Sequence, residues 1–396
     1  MAIDRALVER RLDELYAIGA EPDGGTYRPL YSAAWATAGE HVERWMNEAG
    51  LTTRRDAVGN LWGRAEGAGK AIVTGSHIDT VRHGGRLDGA LGIVAGLTAV
   101  ETLLKEKGKP RRTLEVVAIC EEEGSRFPTN FWGSRAIVGA IDKPDAAMAA
   151  AMRECGLDPA RIATAARDDI DTFVELHIEQ GAVLETSNTP LAVVSAIVGT
   201  AHLEIVVTGR PDHAGTTPMD LRLDALAGAA AMVQAVESIA KSLGKPAVAT
   251  VGKLAVEPDQ INVVPGKVIF TVDLRHADLG GRRALEERIR SLCATISQER
   301  RLGLAIRTLQ EKPPVAMHPD VRALLARAAK ECGVQAPEMV SGAGHDAQVL
   351  AARCKVGMIF VPSIGGRSHC PEESTNPEHL RLGTEVLARS LELLAY

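Results

Sequence analysis

Four short, uninterrupted apolar runs constrain this chain more than anything else in it. Residues 71–76 (AIVTGS), 114–120 (LEVVAIC), 172–176 (TFVEL) and 356–361 (VGMIFV) do not alternate between a core face and a solvent face. A strand that is apolar on both sides must be covered on both sides, which is the situation of a parallel sheet flanked by helices. The segments between them supply the helices. Residues 89–107 (GALGIVAGLTAVETLLKEK) read as a helix closed by Gly108 and Pro110, and an amphipathic helix runs from Pro377 onward. The expected fold class is α/β with a mostly parallel sheet.

Residues 195–315 have another rhythm. Strand-like 202–208, a long Ala-rich helix over 221–243, strands at 248–256 and 268–275, a helix over 282–299 and an extended stretch at 304–308 come in that order. That βαββαβ order predicts a small antiparallel sheet with two helices, a ferredoxin-like α+β domain inserted into the larger one. With 396 residues the chain is too long for one ordinary core. The expected organisation is a catalytic domain in two parts, 1–194 and 316–396, interrupted by an inserted domain at 195–315.

Composition removes several function classes. A net charge of −6 disfavours nucleic acid and anionic membrane as partners, since neither attracts an acidic surface. No run of 18 apolar residues occurs, and the charged, amphipathic N-terminal stretch lacks the apolar segment of a secretion signal. The six cysteines show no CxxC spacing and read as reduced, mostly buried thiols of a cytoplasmic protein.

The residues just after each apolar run carry the chemistry. The first run leads into His77-Ile78-Asp79, the second into Glu121-Glu122-Glu123 and the third into His177-Ile178-Glu179-Gln180-Gly181. After the fourth comes Gly365-Gly366-Arg367-Ser368-His369. In an open parallel sheet the carboxyl ends of the strands line one crevice, so separate segments deliver these side chains to one place. Asp88, after a Gly-rich turn and at the start of the 89–107 helix, can point back into the same crevice. A lone His at a strand end is more often a hydrogen-bonded core residue, and a Glu triplet is usually a solvated run. Four strand ends in agreement, and a triplet directly after an apolar strand, favour a metal site instead. His77, Asp88, Glu123, His177 and His369 form a set suited to Zn²⁺ or Mn²⁺. Five ligands exceed what one catalytic zinc takes and suffice for two ions sharing a carboxylate. The histidines at 41, 83, 202, 276, 318 and 379 read as structural, Glu121 as a surface residue, and His345 and Cys370 stay open.

Gly75-Ser76-His77-Ile78-Asp79-Thr80, Asp88-Gly89, Glu121 to Phe127, Glu175 to Gly181 and His213-Ala214-Gly215-Thr216-Thr217-Pro218-Met219 together resemble the hydantoinase/carbamoylase branch of the M20 metallopeptidase-like amidohydrolases. The resemblance spans nearly the whole chain in the right order. It implies a two-metal site, with His77 and His177 on one ion, Glu123 and His369 on the other and Asp88 bridging; Zn or Mn are expected and Co is possible. It also implies that Glu122 is the general base and that Asp79 orients His77. Arg275 and Asn262 would bind the substrate carboxylate, with Gln180 near the substrate. His213 would reach a partner subunit's site and help bind the carbonyl oxygen, so that the inserted domain acts as dimerisation and lid domain of a homodimer. The implied reaction is removal of a terminal ureido (N-carbamoyl) group from a small carboxylate, with release of ammonia and CO2. Phe131-Trp132-Gly133-Ser134 favours allantoate as substrate; an N-carbamoyl-L-amino acid, ureidoglycolate or a β-ureido acid is the alternative. A metallo-aminopeptidase or dipeptidase should carry a carboxylate at position 177, and an inactive binding homologue should have lost the base or a ligand.

Overall fold

A computed structural model of the chain describes residues 2–396. The chain divides into two compact units, one made of the chain up to Ser195 together with Met317–Tyr396, the other of Ala196–Ala316. In chain order the strands are β1 (Thr52–Arg55), β2 (Leu61–Ala65), β3 (Ala68–His77), β4 (Arg112–Ile119), β5 (Ile170–Ile178), β6 (Ala192–Ile197), β7 (Gly199–Thr208), β8 (Asp212–His213), β9 (Val248–Glu257), β10 (Val263–Val264), β11 (Lys267–His276), β12 (Gly303–Lys312), β13 (Val315–Ala316), β14 (Glu338–Ser341) and β15 (Lys355–Val361).

Among the described residues the larger sheet has nine strands in the order β1-β2-β4-β3-β5-β15-β6-β13, with β14 on β6. Its four central strands, β4, β3, β5 and β15, are parallel neighbours, while β2 and β6 flank them antiparallel. These central strands are the four apolar runs. Each is buried on both faces over its second half, as both-face coverage demands. The helix Ala90–Lys107 is buried continuously from Ala90 to Glu101. It sits close on the sheet because residue 92 is glycine: a Cβ there would lie 2.5 Å from Ser76 Cβ and 2.9 Å from the Leu176 carbonyl. Gly108 ends the helix, its N–H bonded to Leu104 O, with Lys105 and Lys107 in the last turn facing the negative end of the helix dipole. Of the remaining strands, β2 and β6 are largely buried, β1 is half-exposed, and β13 and β14 have two and four residues.

The second unit holds a four-stranded sheet in the order β12-β7-β11-β9, antiparallel throughout. Here the side chains do alternate. Ala201, Leu203, Ile205 and Val207 of β7 and Val268, Phe270, Val272 and Leu274 of β11 face a core completed by the helices Ala225–Leu243 and Leu279–Glu299. The first of these helices starts at Ala225 rather than Leu221, because Asp224 caps it by accepting from Leu226 and Ala227 N–H. At the sheet edge β9 leaves Val248 and Leu254 exposed.

No helix among the described residues is long and apolar enough to cross a membrane. All six cysteines are unpaired, and only Cys120 and Cys293 are buried. The expectation of mostly buried thiols is corrected for Cys155, Cys332, Cys354 and Cys370, which sit in partly solvated positions.

Candidate metal centre

The four parallel strands place their carboxyl ends side by side. His77 is the last residue of β3 and lies opposite Ile119 of β4. His177 lies within β5, opposite Phe360 of β15, because that strand continues two residues past the expected end at 176. The Glu triplet comes after β4 and Cys120, and His369 sits in the loop after β15, with φ 56.

Asp88 is the hub. Its Oδ1 lies 3.3 Å from His77 Nε2 and 3.1 Å from His177 Nε2, and its Oδ2 lies 3.0 Å from His369 Nε2. Glu123 Oε1 approaches the same His369 nitrogen at 3.5 Å. Among the described residues four clusters have ligand atoms within 4.8 Å of one another: His77–Asp88–His177 and Asp88–Glu123–His369, which share Asp88, and His77–Glu122–Glu123 and Glu175–His177–His345. Asp88 can turn back onto the histidines because residue 89 is glycine at φ +67: a Cβ there would fall 2.4 Å from His77 O and 2.5 Å from the imidazole.

Asp79 fixes His77 and the Glu triplet together. It is fully buried, and its Oδ1 lies 3.3 Å from His77 Nδ1. It also accepts from the backbone N–H of Glu122 at 3.0 Å and of Glu123 at 3.3 Å. His77 Nδ1 and His177 Nδ1 each meet a backbone carbonyl, at 3.1 and 2.9 Å. Those partners assign the proton to Nδ1 and turn the Nε2 lone pairs toward Asp88. His177 Nε2 is buried, and despite its proximity to Asp88 it makes no hydrogen bond. An acceptor nitrogen held against a carboxylate oxygen is repulsive unless a cation lies between them, so this donor set fits a metal.

The charges point the same way. Burial and the Asp88 carboxylate push Glu123 up to about 7, and burial with Glu123 alongside pushes Glu122 well above the usual carboxylate range. Burial also opposes charge on Asp88, and protons on the His177, His369 and His77 imidazoles, standing in place of a metal, hold its carboxyl well below that range. The crevice thus gathers more carboxylate than its histidines neutralise. Divalent cations held there would supply the missing positive charge.

A profile of peptidase family M20/M25/M40 matches residues 73–393. The chain belongs to that family. It is 40% identical to the allantoate amidohydrolase of Escherichia coli (strain K12), over 99% of this chain and 98% of that one. It is also 40% identical to the N-carbamoyl-L-amino-acid amidohydrolase of Paenarthrobacter aurescens, over 98% and 97%. A solved amidase of the hydantoinase/carbamoylase family from Burkholderia multivorans superposes with a TM-score of 0.94 at 33% identity, covering 100% of this chain and 98% of that one. The protein is a metal-dependent M20 amidohydrolase of the hydantoinase/carbamoylase branch.

Sequence pattern misses or misplaces several residues around this amidohydrolase's centre. Glu121 is not a surface residue. It is 2% exposed and accepts from the backbone N–H of Trp132 at 2.8 Å and of Gly124, which folds the loop after the triplet. Burial and Asp79 push its pKa up to about 9. Arg28, 1% exposed, donates to Ile78 O at 3.1 Å and Leu15 O at 2.8 Å, bracing the turn between His77 and Asp79 from beneath. Burial lowers its pKa to about 10. His345 is buried, 2.9 Å from Ser341 Oγ and edge-on to His177 with ring centroids 4.6 Å apart. Burial, with His177 alongside, keeps it well below the usual imidazole range, and with Glu175 and His177 it forms a further cluster of possible ligands. Gln180 donates from Nε2 to Asp88 Oδ2 at 2.9 Å and to Ser368 Oγ at 3.2 Å. Cys370 Sγ accepts from Arg367 Nε at 3.4 Å.

In the second unit the structure brings two of the three expected residues together. His213 is paired with Val263 in the β8–β10 ribbon, and Asn262 O accepts from Ala214 N–H at 3.0 Å. Both are exposed. His213 Nδ1 accepts from the N–H groups of Gly215 and Thr216 at 3.0 and 3.2 Å. That assigns its proton to Nε2, which can donate to an oxygen. Arg275 stands on β11 and is gripped by Asp273 through Nε at 3.1 Å and Nη2 at 2.8 Å.

Proposed function

We propose that this amidohydrolase removes the terminal ureido group of a small carboxylate, with allantoate as substrate, releasing ammonia and CO2. The observation that carries the ureido reading is His177, an imidazole beside Asp88 at the position where a peptidase of this family should hold a carboxylate. His77 and His177 would hold one divalent ion, Glu123 and His369 a second, and Asp88 both; Zn²⁺ and Mn²⁺ suit the donors and Co²⁺ is a further candidate. Bound ions supply the Lewis acidity that an unreactive ureido carbonyl and neutral water both need.

The chain's own residues do the rest. Glu122 takes a proton from the attacking water and delivers it to the leaving nitrogen. Asp79 keeps His77 in one tautomer and holds the backbone of Glu122 and Glu123 in register with it. Arg275, oriented by Asp273, binds the substrate carboxylate with Asn262. Gln180 lies beside the reacting group, and His213 Nε2–H donates to the carbonyl oxygen. We assign to the second unit the roles of lid and dimerisation domain. The exposed edge of β9 and the exposed His213 loop support a homodimer in which His213 serves the partner's site. Six unpaired thiols support a cytoplasmic setting.

Phe131-Trp132-Gly133-Ser134 favours allantoate, while equal identity to an N-carbamoyl-L-amino-acid enzyme keeps that substrate as the second reading. Ammonia release is to be measured from allantoate, ureidoglycolate, N-carbamoyl-L- and D-amino acids and N-carbamoyl-β-alanine, with Zn²⁺, Mn²⁺ or Co²⁺ supplied. Allantoate should give the highest kcat/KM. A faster N-carbamoyl-L-amino acid moves the assignment to the second reading. Dipeptide cleavage without ureido turnover overturns both.

A further inference from the structure

Glu373 is 4% exposed and has no place in the ligand set, yet it touches both segments that meet at Asp88. Its Oε1 accepts from the backbone N–H of Leu87 at 2.7 Å and of Asp88 at 3.0 Å. Its Oε2 accepts from Ser368 Oγ at 2.7 Å. Ser368 immediately precedes His369, and its Oγ is also 3.4 Å from Asp88 Oδ2. One carboxylate therefore clasps the loop that presents Asp88 to the loop that presents His369, across 285 residues of sequence on one side and five on the other.

Two features show that this place is shaped for the Glu373 side chain. Gly85 makes room for it, since a Cβ at residue 85 would lie 2.2 Å from Oε1. The helix Ala90–Lys107 has no side-chain cap of its own, because its N-cap residue is Gly89, and Glu373 takes the N–H groups of Leu87 and Asp88 just ahead of that helix. A buried carboxylate beside Asp88 carries a cost in desolvation and like-charge repulsion, which its three donors reduce.

We propose that Glu373 is a positioning residue for the metal centre, setting the distance between the shared carboxylate of Asp88 and the His369 loop. The inference rests on the reading of Asp88 and His369 as ligands. Removing the clasp leaves both side chains present but free to part, so the loss falls on metal affinity.

Metal-free protein is titrated with Mn²⁺ or Zn²⁺ alone by calorimetry, alongside thermal unfolding of the same metal-free samples. Glu373→Ala should weaken binding by roughly 10- to 100-fold, the usual effect of deleting a group that orients a ligand. Glu373→Gln keeps an oxygen for the two N–H groups and offers an amide donor to Ser368, so it should stay within a few-fold of wild type. Ser368→Ala cuts the His369 arm, together with the Ser368 contacts to Gln180 and Asp88, and should weaken binding by about tenfold without lowering the unfolding temperature, which keeps the inference testable if Glu373→Ala does not fold. Wild-type affinity in Glu373→Ala or Ser368→Ala overturns the proposal, as does a Glu373→Gln loss equal to that of Glu373→Ala. A wild type that binds neither ion overturns the metal reading itself, and this inference with it.

Discussion

In the first unit, Asp79 alone is bonded to His77 and to the backbone of two glutamates, and Asp88 meets three imidazoles within 3.3 Å. In the second unit, His213 and Asn262 are exposed, and the His213 ring is held only through its Nδ1 by the backbone of its own loop. The difference comes from the elements that carry these residues. Central strands buried on both faces end in a crevice where the candidate ligands are held against one another and against Asp79 and Asp88. His213 and Asn262 stand instead at the short two-stranded β8–β10 ribbon, outside the four-stranded sheet, where they stay exposed. Chemistry on rigid elements and recognition on exposed ones is the division this contrast teaches.

The largest effect tests the first side of the comparison. Chelation should abolish activity and added divalent metal should restore it, because the preassembled side chains include no other catalytic electrophile. Full turnover by protein verified as metal-free would sink the mechanism. Next, Glu122→Gln should lower kcat by at least ~10²-fold, the low end of a general base's contribution, with metal binding largely intact. Glu123→Gln should instead weaken a metal site, and reversal of the two phenotypes would shift the assignment by one residue.

The second side is tested by Arg275→Leu. Loss of a charge-assisted bidentate contact should cost roughly 3 kcal/mol in kcat/KM for carboxylate substrates, about 10²-fold. A substrate with its carboxylate amidated should be poor with wild type and indifferent to the change. Equal sensitivity of both substrates would make Arg275 a partner of Asp273 and nothing more. The smallest effect is the sharpest. Co-expressed His77→Ala and His213→Ala chains, each nearly inactive alone, should regain about a quarter of wild-type activity, since half of randomly paired dimers are mixed and each has one intact site. No gain over the parents, with mixed dimers confirmed by differential tags, would place His213 in its own chain's site and remove the proposed contrast.

Local pattern alone determined a good part of this molecule. Uninterrupted apolar runs specify strands buried on both faces, and the residues after them specify what the strand ends present. Likewise the switch to alternation near residue 200 specifies a sheet with one wet face. Those signals are carried by neighbours in sequence, so they are legible without coordinates. Glu121, Arg28, His345 and Glu373 were decided only by the tertiary structure. A buried Glu beside two other glutamates looks like a charged run until the Trp132 and Gly124 amides are brought to it. Arg28 and Glu373 act on segments tens to hundreds of residues away, at Ile78 and Leu87. Burial of a charge depends on partners that chain folding delivers from distant segments, and no local pattern encodes where those partners come from.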